Sequence, residues 1–201
     1  CSYCGQPTIV YDRMEKSKMP EYIIPFVVTR DEALKAIRKK LNSGWFVPNE
    51  VKNFEVERLC GIYIPYWLFD ADYTDSMVIR SRVKSGKSSV TKHYRVNTSC
   101  KLYYYPVDAS RNLNDKCSQK LEPYDYSGIR PFQIGYMSGF YSDRFDMTSD
   151  QMMITSMFRA QRLMYEEAKK KTPGSPQGIA DSYPMFHVKK QYYTLLPAWF
   201  M

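Results

Sequence analysis

Two cysteines at the start of the chain form the pattern best suited to metal chemistry. Cys1 and Cys4 are separated by two residues and followed by Gly5, which is the spacing of one zinc knuckle. Two thiolates cannot close a structural zinc site, because such a site takes four ligands. A redox dithiol uses the same spacing, but it opens a helix after a strand, and the residues after Cys4 do not resemble a helix. The pair therefore predicts half of a zinc ribbon.

A second set of residues is suited to binding anions. These residues are the cations of two long strand-like segments, in which polar and apolar positions alternate. The set is Arg80, Arg82, Lys84, Lys87, Lys92, Arg95 and Lys101. Together with Tyr103, these cations could follow a phosphate backbone while the aromatic ring stacks on a base. Strands that face water are also commonly rich in Lys and Arg, and on the residues alone this second interpretation is favoured.

Residues that could catalyse a reaction are sparse. The two histidines, His93 and His187, both fall at polar positions of strand-like segments. The acidic clusters are Asp70, Asp72 and Asp75, and Asp143, Asp146 and Asp150. Paired carboxylates can bind a hard cation or transfer protons, but they more often serve turns and helix caps. The segment "SGKSS" is not a phosphate-binding loop, because position 81 is Ser where that motif needs Gly.

Composition limits the class of protein. The 201 residues carry a formal net charge of +8, which favours acidic partners such as nucleic acid, anionic lipid or an acidic protein. The five cysteines are irregularly spaced, so we expect reduced thiols in a cytoplasmic protein rather than a disulfide framework. The longest apolar run, "CGIYIPYWLF", has about half of the ~20 residues that a membrane-spanning helix needs.

Two helices must position these residues. The first is predicted over "TRDEALKAIRKKLNSG", with Thr29 as N-cap and Glu32 completing a capping box. The second is predicted after Thr148 and ends before Pro173 and Gly174. Its predicted packed stripe is Ile154, Met157, Phe158, Gln161, Met164 and Ala168.

The strand signals predict the fold class. Two long segments flank "SGKSS" and form a basic β-hairpin, over about residues 73–105. We therefore expect an α+β fold: a mainly antiparallel, twisted or barrel-like β core with two amphipathic helices packed against it. A Pro-x-Trp pattern occurs at Pro65–Trp67 and again at Pro197–Trp199, each in an apolar strand. This pattern favours an internal duplication, with halves of about 20–72 and 124–201 and with both tryptophans in equivalent core positions.

Nearly the whole chain resembles an uncharacterised bacterial zinc-ribbon family. The resemblance rests on "CSYCGQPTIV", "EYIIPFVVTRDEALKAIRKKL", "GIYIPYWLFDAD", "PVDASRNLND", "LEPYDYSGIRPFQIGYMSGFYSDRFDM" and "YYTLLPAWFM". Its members are often labelled transcription-factor-B-type zinc-ribbon proteins, or loosely as primosomal helicase-like. The resemblance implies an earlier Cys-x-x-Cys that shares a zinc ion with Cys1 and Cys4, and a further strand after the last Trp. It thus implies that this chain is a fragment, with residues 1–15 as the second knuckle and 16–201 as an α+β domain.

Three functions follow as hypotheses. The first is a non-enzymatic binding or scaffold protein whose zinc ribbon docks a protein partner. The second is a nucleic-acid-binding accessory protein that uses the ribbon and the basic hairpin. The third is an enzyme or small-ligand binder with a site between the two halves. The sparse catalytic residues favour a binding protein over an enzyme.

Overall fold

The computed structural model describes residues 19–42, 59–110, 115–143 and 147–200. Within these ranges the strands are β1 (Tyr22–Ile23), β2 (Cys60–Ser85), β3 (Ser88–Asp108), β4 (Arg130–Pro131), β5 (Tyr141–Ser142), β6 (Ser175–Asp181) and β7 (Met185–Phe200). The α-helices are α1 (Arg30–Asn42), α2 (Asp115–Leu121) and α3 (Ser149–Lys171). Short 3-10 turns occupy Tyr126–Gly128 and Ile134–Met137. The α+β class is therefore confirmed.

The strands form a mixed sheet. Its order is β3-β2-β7-β1-β4, and β5 and β6 also pair with β2. β1 runs parallel to β7 and antiparallel to β4, whereas β2 pairs in parallel with β5 and antiparallel with β6. No helix within the described ranges is long and apolar enough to cross a membrane.

The chain divides into two compact units. The first contains the described residues up to 66, those between 108 and 143, and those from 192 onward; the second contains 67–107 and 147–191. The predicted boundary between a knuckle over 1–15 and a domain over 16–201 lies outside the described residues and stays a prediction. The predicted halves of 20–72 and 124–201 stay a prediction as well.

The first unit is built around aromatic rings. Phe26 stacks on Phe140 with ring centroids 4.1 Å apart, and Tyr63 and Trp199 both contact Phe26 edge to face. Packing of this kind buries a large apolar area for few residues. Gly61 is required at this place, because a Cβ there would lie 2.5 Å from the ring of Phe140.

The second unit packs one side of a hairpin on α3. Met77 and Ile79 of β2 are completely buried with Ala168 of α3, and Val96 of β3 and Met164 of α3 pack against them. Ser81 of β2 is also buried, and its hydroxyl donates to the Pro173 carbonyl at the end of the helix, 2.5 Å away. The period-two alternation of β2 thus turns its odd-numbered side chains toward the helix.

Both predicted helices are confirmed, and both begin in a capping box. The Glu32 carboxylate accepts from the Thr29 backbone N–H and from the Thr29 hydroxyl, both at 2.8 Å, and these two bonds hold the pKa of Glu32 below its ordinary value. The Thr29 hydroxyl oxygen in turn accepts from the Glu32 backbone N–H, which completes the box. Thr148 and Gln151 form the same reciprocal pair at α3.

The predicted stripe on the second helix is wrong at two positions. Ile154 and Phe158 are 55% and 56% exposed, whereas Met152, Ser156, Ala160 and Ala168 are buried. The side facing the sheet therefore consists mainly of small residues, spaced four or eight apart. A search for the largest apolar residues selects the wrong side, because close helix–sheet packing needs small side chains there.

One feature is shared by the two units. In the second unit, the indole Nε1–H of Trp67 donates to the carbonyl of Met147, 3.0 Å away, just before the α3 N-cap. In the first unit, the indole Nε1–H of Trp199 donates to the carbonyl of Val28, 3.3 Å away, just before Thr29 at the start of α1. Trp67 is 2% exposed and Trp199 is half-buried, so the prediction of equivalent core positions is wrong for the degree of burial.

Candidate nucleic-acid interface

The side of the hairpin turned away from α3 carries exposed cations. Arg80, Arg82 and Lys84 are exposed and alternate with the buried side chains of β2. On β3, Arg95 and Lys101 are exposed and alternate with half-buried residues such as Val96. These five residues, Arg80, Arg82, Lys84, Arg95 and Lys101, are called the cationic face below.

The other two cations of the predicted set lie elsewhere on the hairpin. Lys87 occupies the two-residue turn between β2 and β3 with Gly86, whose φ of +62° is in the left-handed region. Lys92 is exposed, but the alternation of β3 places it on the side of Val96, opposite Arg95. Both lie near the tip of the hairpin and outside the cationic face.

The cationic face extends onto β7, which sequence reasoning did not include. Lys189 forms an ion pair with Asp72 of β2, with Nζ and Oδ2 2.6 Å apart. This bond is the main reason that the pKa of Asp72 lies below its ordinary value, and Lys101 and His187 lower it further. The hydrogen bond to Asp72 raises the pKa of Lys189, and the phenol group of Tyr103, a side chain that is 70% exposed, raises it slightly further. These residues come together because they lie on the same side of three strands, β2, β3 and β7. No spacing in the sequence indicates this arrangement.

A pocket lies beside the segment that connects β6 to β7. It has a volume of about 650 Å³ and is lined by Thr74, Asp75, Ser76, Asn97, Ser182, Tyr183, Pro184 and Met185. Thr74 and Ser76 have the parity of Arg80 along β2, and Asn97 has the parity of Arg95 along β3. The pocket, called the junction pocket below, therefore opens on the side that carries the cationic face.

Asp75 fixes the wall of the junction pocket. Its carboxylate is 4% exposed and accepts from the Tyr73 hydroxyl (2.8 Å), the Ser182 hydroxyl (3.2 Å) and the Tyr183 backbone N–H (2.9 Å). Gln161 of α3 donates to the same carboxylate at 3.4 Å. Burial, together with this carboxylate, raises the pKa of Tyr73 well above its ordinary value. Sequence reasoning grouped Asp75 with Asp70 and Asp72, but its role is to anchor the segment between β6 and β7.

The remaining acidic residues are engaged separately. Asp70 accepts from the Tyr104 backbone N–H at 2.9 Å, and Asp143 accepts from the Ser110 hydroxyl. Asp150 lies in the first turn of α3, as expected for a residue that favours a helix start, and Asp146 lies outside the described residues. His93 is exposed on β3. A site between the two predicted halves stays a prediction.

The proposed zinc ligands, Cys1 and Cys4, lie outside the described residues. Among the residues that the structure describes, no group of three or more His, Cys, Asp or Glu side chains could hold a metal ion. Cys60, Cys100 and Cys117 are free thiols, and burial raises the pKa of Cys100. The structural zinc therefore stays an expectation from the resemblance.

The fold and surface define a class: an α+β protein with an open, cationic sheet side and a pocket within it. The chain is similar to the uncharacterized protein YdjG of Bacillus subtilis (strain 168), with 27% identity over 205 residues. That alignment covers 95% of this chain and 59% of YdjG, so the chain spans less than two thirds of its relative. No family model matches the chain, and no solved structure matches it.

Proposed function

We propose that this protein is a non-enzymatic binding protein whose cationic face binds single-stranded nucleic acid. The observation that carries the proposal is the placement of five exposed cations on one side of a hairpin whose other side is closed by α3. Within a strand, neighbouring side chains of one face are about 6.8 Å apart. Backbone pairing thus holds the cations in a regular array, as an extended polyanion requires.

Two features favour nucleic acid over an acidic protein. Tyr103 is 70% exposed beside Lys101 and Lys189 and offers a ring on which a base could stack. The junction pocket lies on the same side and could receive a group that projects from a backbone. Both features favour a single strand, because bases within a duplex are already stacked on one another.

A second candidate function is a scaffold that docks a protein partner through the zinc ribbon that Cys1 and Cys4 would help to form. The observation that favours it is the outer side of α3, where Ile154 and Phe158, four residues apart, are exposed. Exposed apolar side chains of this kind are typical of protein contacts. The free thiols of Cys60, Cys100 and Cys117 support a reducing, cytoplasmic location as part of either proposal.

The paired tryptophan contacts support the internal duplication as a further part of the proposal. Each Pro-x-Trp strand supplies an indole to the start of a Thr-capped helix in its own unit. The four residues that end in each capping Thr share their first and last members, as Phe26-Val-Val-Thr29 and Phe145-Asp-Met-Thr148. Both helices continue with Asp and then Glu or Gln, at Asp31-Glu32 and Asp150-Gln151. The same hydrogen bond at the same helix position supports a duplication over a chance repeat of one short motif.

Fluorescence anisotropy tests the binding proposal. The chain is titrated against a labelled oligothymidylate, against the matching duplex and against heparin, over a series of salt concentrations. We expect the single strand to bind most tightly, with log K falling linearly with log salt concentration. In the variant Arg80→Glu/Arg82→Glu/Arg95→Glu, we expect the salt slope to fall by about two, since each lost phosphate contact removes ~0.7.

A matched control separates the cationic face from net charge. The variant Lys35→Glu/Arg38→Glu/Lys39→Glu changes three exposed cations of α1 instead. Each triple variant lowers the formal charge by six, from +8 to +2. Loss of binding in the β-hairpin variant alone supports the proposal. Equal loss in both variants, or equal affinity for heparin and the single strand, would mean that only generic charge acts.

A further inference from the structure

We propose that the junction pocket receives one unstacked nucleobase of a strand bound along the cationic face. This inference rests on the proposed function and adds the chemical class that the pocket recognises. It follows from the arrangement of polar and charged groups along β2 and β3. The surface of the pocket is mainly apolar, with a few neutral polar groups, and cations lie beyond it in both directions.

The lining excludes a phosphate as the occupant of the pocket itself. No Lys, Arg or His is among the described residues that line it, and its one charged group is the carboxylate of Asp75. That carboxylate is buried and receives hydrogen bonds from three side chains and one backbone N–H, so it is directed into the protein. An anion in the pocket would meet no compensating charge. A neutral group is favoured there instead.

The polar groups of the pocket match the edge of a base. Thr74 and Ser76 offer hydroxyls, and Asn97 offers a carboxamide, so each can both donate and accept a hydrogen bond. A base edge presents the same mixture of donors and acceptors. Recognition of unstacked bases commonly combines such hydrogen bonds with stacking on an aromatic side chain.

The face of a base would lie against Tyr183 and Met185. These side chains are 64% and 67% exposed although both belong to the pocket wall. The backbone of Tyr183 is held by Asp75, so the ring stands on a fixed segment rather than on a free loop. The pocket volume of about 650 Å³ lies within the range of roughly 300–1,000 Å³ that is typical of small-molecule sites.

The cations are spaced so that the phosphate on each side of the base would lie near a positively charged side chain. Arg95 is two residues before Asn97 on β3, and Lys101 is four residues after it. These separations are about 6.8 Å and 13.6 Å along an extended strand. At the Lys101 end, Lys189 adds a further ammonium group, which is paired with the Asp72 carboxylate. A neutral pocket between two cationic stretches fits a base with a phosphate on each side and does not fit a continuous polyanion such as heparin.

The experiment compares two strands and three variants by anisotropy. The strands are an oligothymidylate and an abasic strand of equal length, which keeps the phosphates and lacks the bases. The variants are Tyr183→Ala, Tyr183→Phe, which keeps the ring, and Phe158→Ala, which removes an equally exposed aromatic from α3. We expect Tyr183→Ala to weaken oligothymidylate binding about tenfold, since one base stacked on an aromatic side chain accounts for an effect of this order. Tyr183→Phe and Phe158→Ala should bind like the original chain.

The outcomes separate the pocket from the cationic face. Tyr183→Ala should leave the affinity for the abasic strand and the salt slope unchanged, because no phosphate contact is lost. Suppose that the hairpin charge variant abolishes binding, that Tyr183→Ala binds the oligothymidylate as tightly as the original chain does, and that the abasic strand binds as tightly as the oligothymidylate. The proposal for the cationic face is then supported, and the pocket inference is wrong. If neither strand binds, or if the hairpin charge variant has no effect, the proposed function fails and the inference fails with it.

Discussion

Both units contain the same contact between a tryptophan and the start of a helix, but their surfaces differ. In each, a tryptophan of a Pro-x-Trp strand donates to the carbonyl that precedes a Thr-capped helix. The helix is 13 residues long in the first unit and 23 in the second. In the first unit Trp199 joins a cluster of rings with Phe26 and Phe140. In the second unit Trp67 is buried and the hairpin beyond it keeps one side open.

The same local motif thus occurs beside two kinds of surface, a closed cluster of rings and the open side of a hairpin. Rings on several elements of the first unit fill the space around Phe26, so its side chains mainly stabilise the fold. In the second unit Met77, Ile79 and Val96 of the hairpin pack on α3, and alternate positions of the hairpin carry the five exposed cations. Those positions can change without disturbing a core, and this freedom is what a binding surface needs.

Removal of the two indoles should have unequal effects. Trp67→Ala removes a buried ring together with its hydrogen bond to the Met147 carbonyl, so we expect a loss of about 3–5 kcal/mol in the free energy of unfolding. Trp199→Ala removes a half-buried ring with a longer hydrogen bond, and we expect about 1–2 kcal/mol. Urea denaturation followed by circular dichroism measures both. Equal losses would show that burial does not distinguish the two anchors.

Two glycines provide a second contrast, between packing and backbone conformation. Gly61→Ala would push a Cβ into the ring of Phe140, and that ring is stacked on Phe26. We expect a loss of about 2–3 kcal/mol in the free energy of unfolding. Gly86 has φ +62°, but a Cβ added there would meet no atom within 4 Å, so Gly86→Ala should lose about 1 kcal/mol through backbone strain alone. A larger loss at Gly86 would mean that the hairpin turn, rather than the ring cluster, limits stability.

Local features of the fold could be predicted from the sequence, and features that join distant segments could not. The capping boxes at Thr29 and Thr148 depend on residues three apart, and the cationic side of the hairpin depends on period-two alternation. The junction pocket needs β2, β3 and the segment after β6 in one place, although Asp75 and Tyr183 are 108 residues apart.

Two features of the second unit were predicted wrongly or missed. Ile154 and Phe158 were predicted to pack, but they are exposed because the sheet accepts small residues against α3. Lys189 was missed because only strand order places it beside Asp72.

Removal of the Asp72 carboxylate, on the open side of the second unit, should have the smallest effect. Asp72 is the carboxylate that pairs with Lys189 and lowers the local positive charge. Since its pKa is held below the ordinary value, it is ionised at neutral pH. The stability that this pair contributes is complete above the ordinary pKa of Asp and is lost progressively as pH falls from there through the lowered pKa. Asp72→Asn should free Lys189 and Lys101 for phosphate and tighten oligothymidylate binding about two- to fivefold at neutral pH, the scale of an exposed ion pair. Anisotropy at low salt measures the change, and Asp31→Asn, at an exposed position of α1, is the control for lost charge. The same gain in both variants would assign the effect to net charge, whereas a gain confined to Asp72→Asn would locate the bound strand beside Lys189.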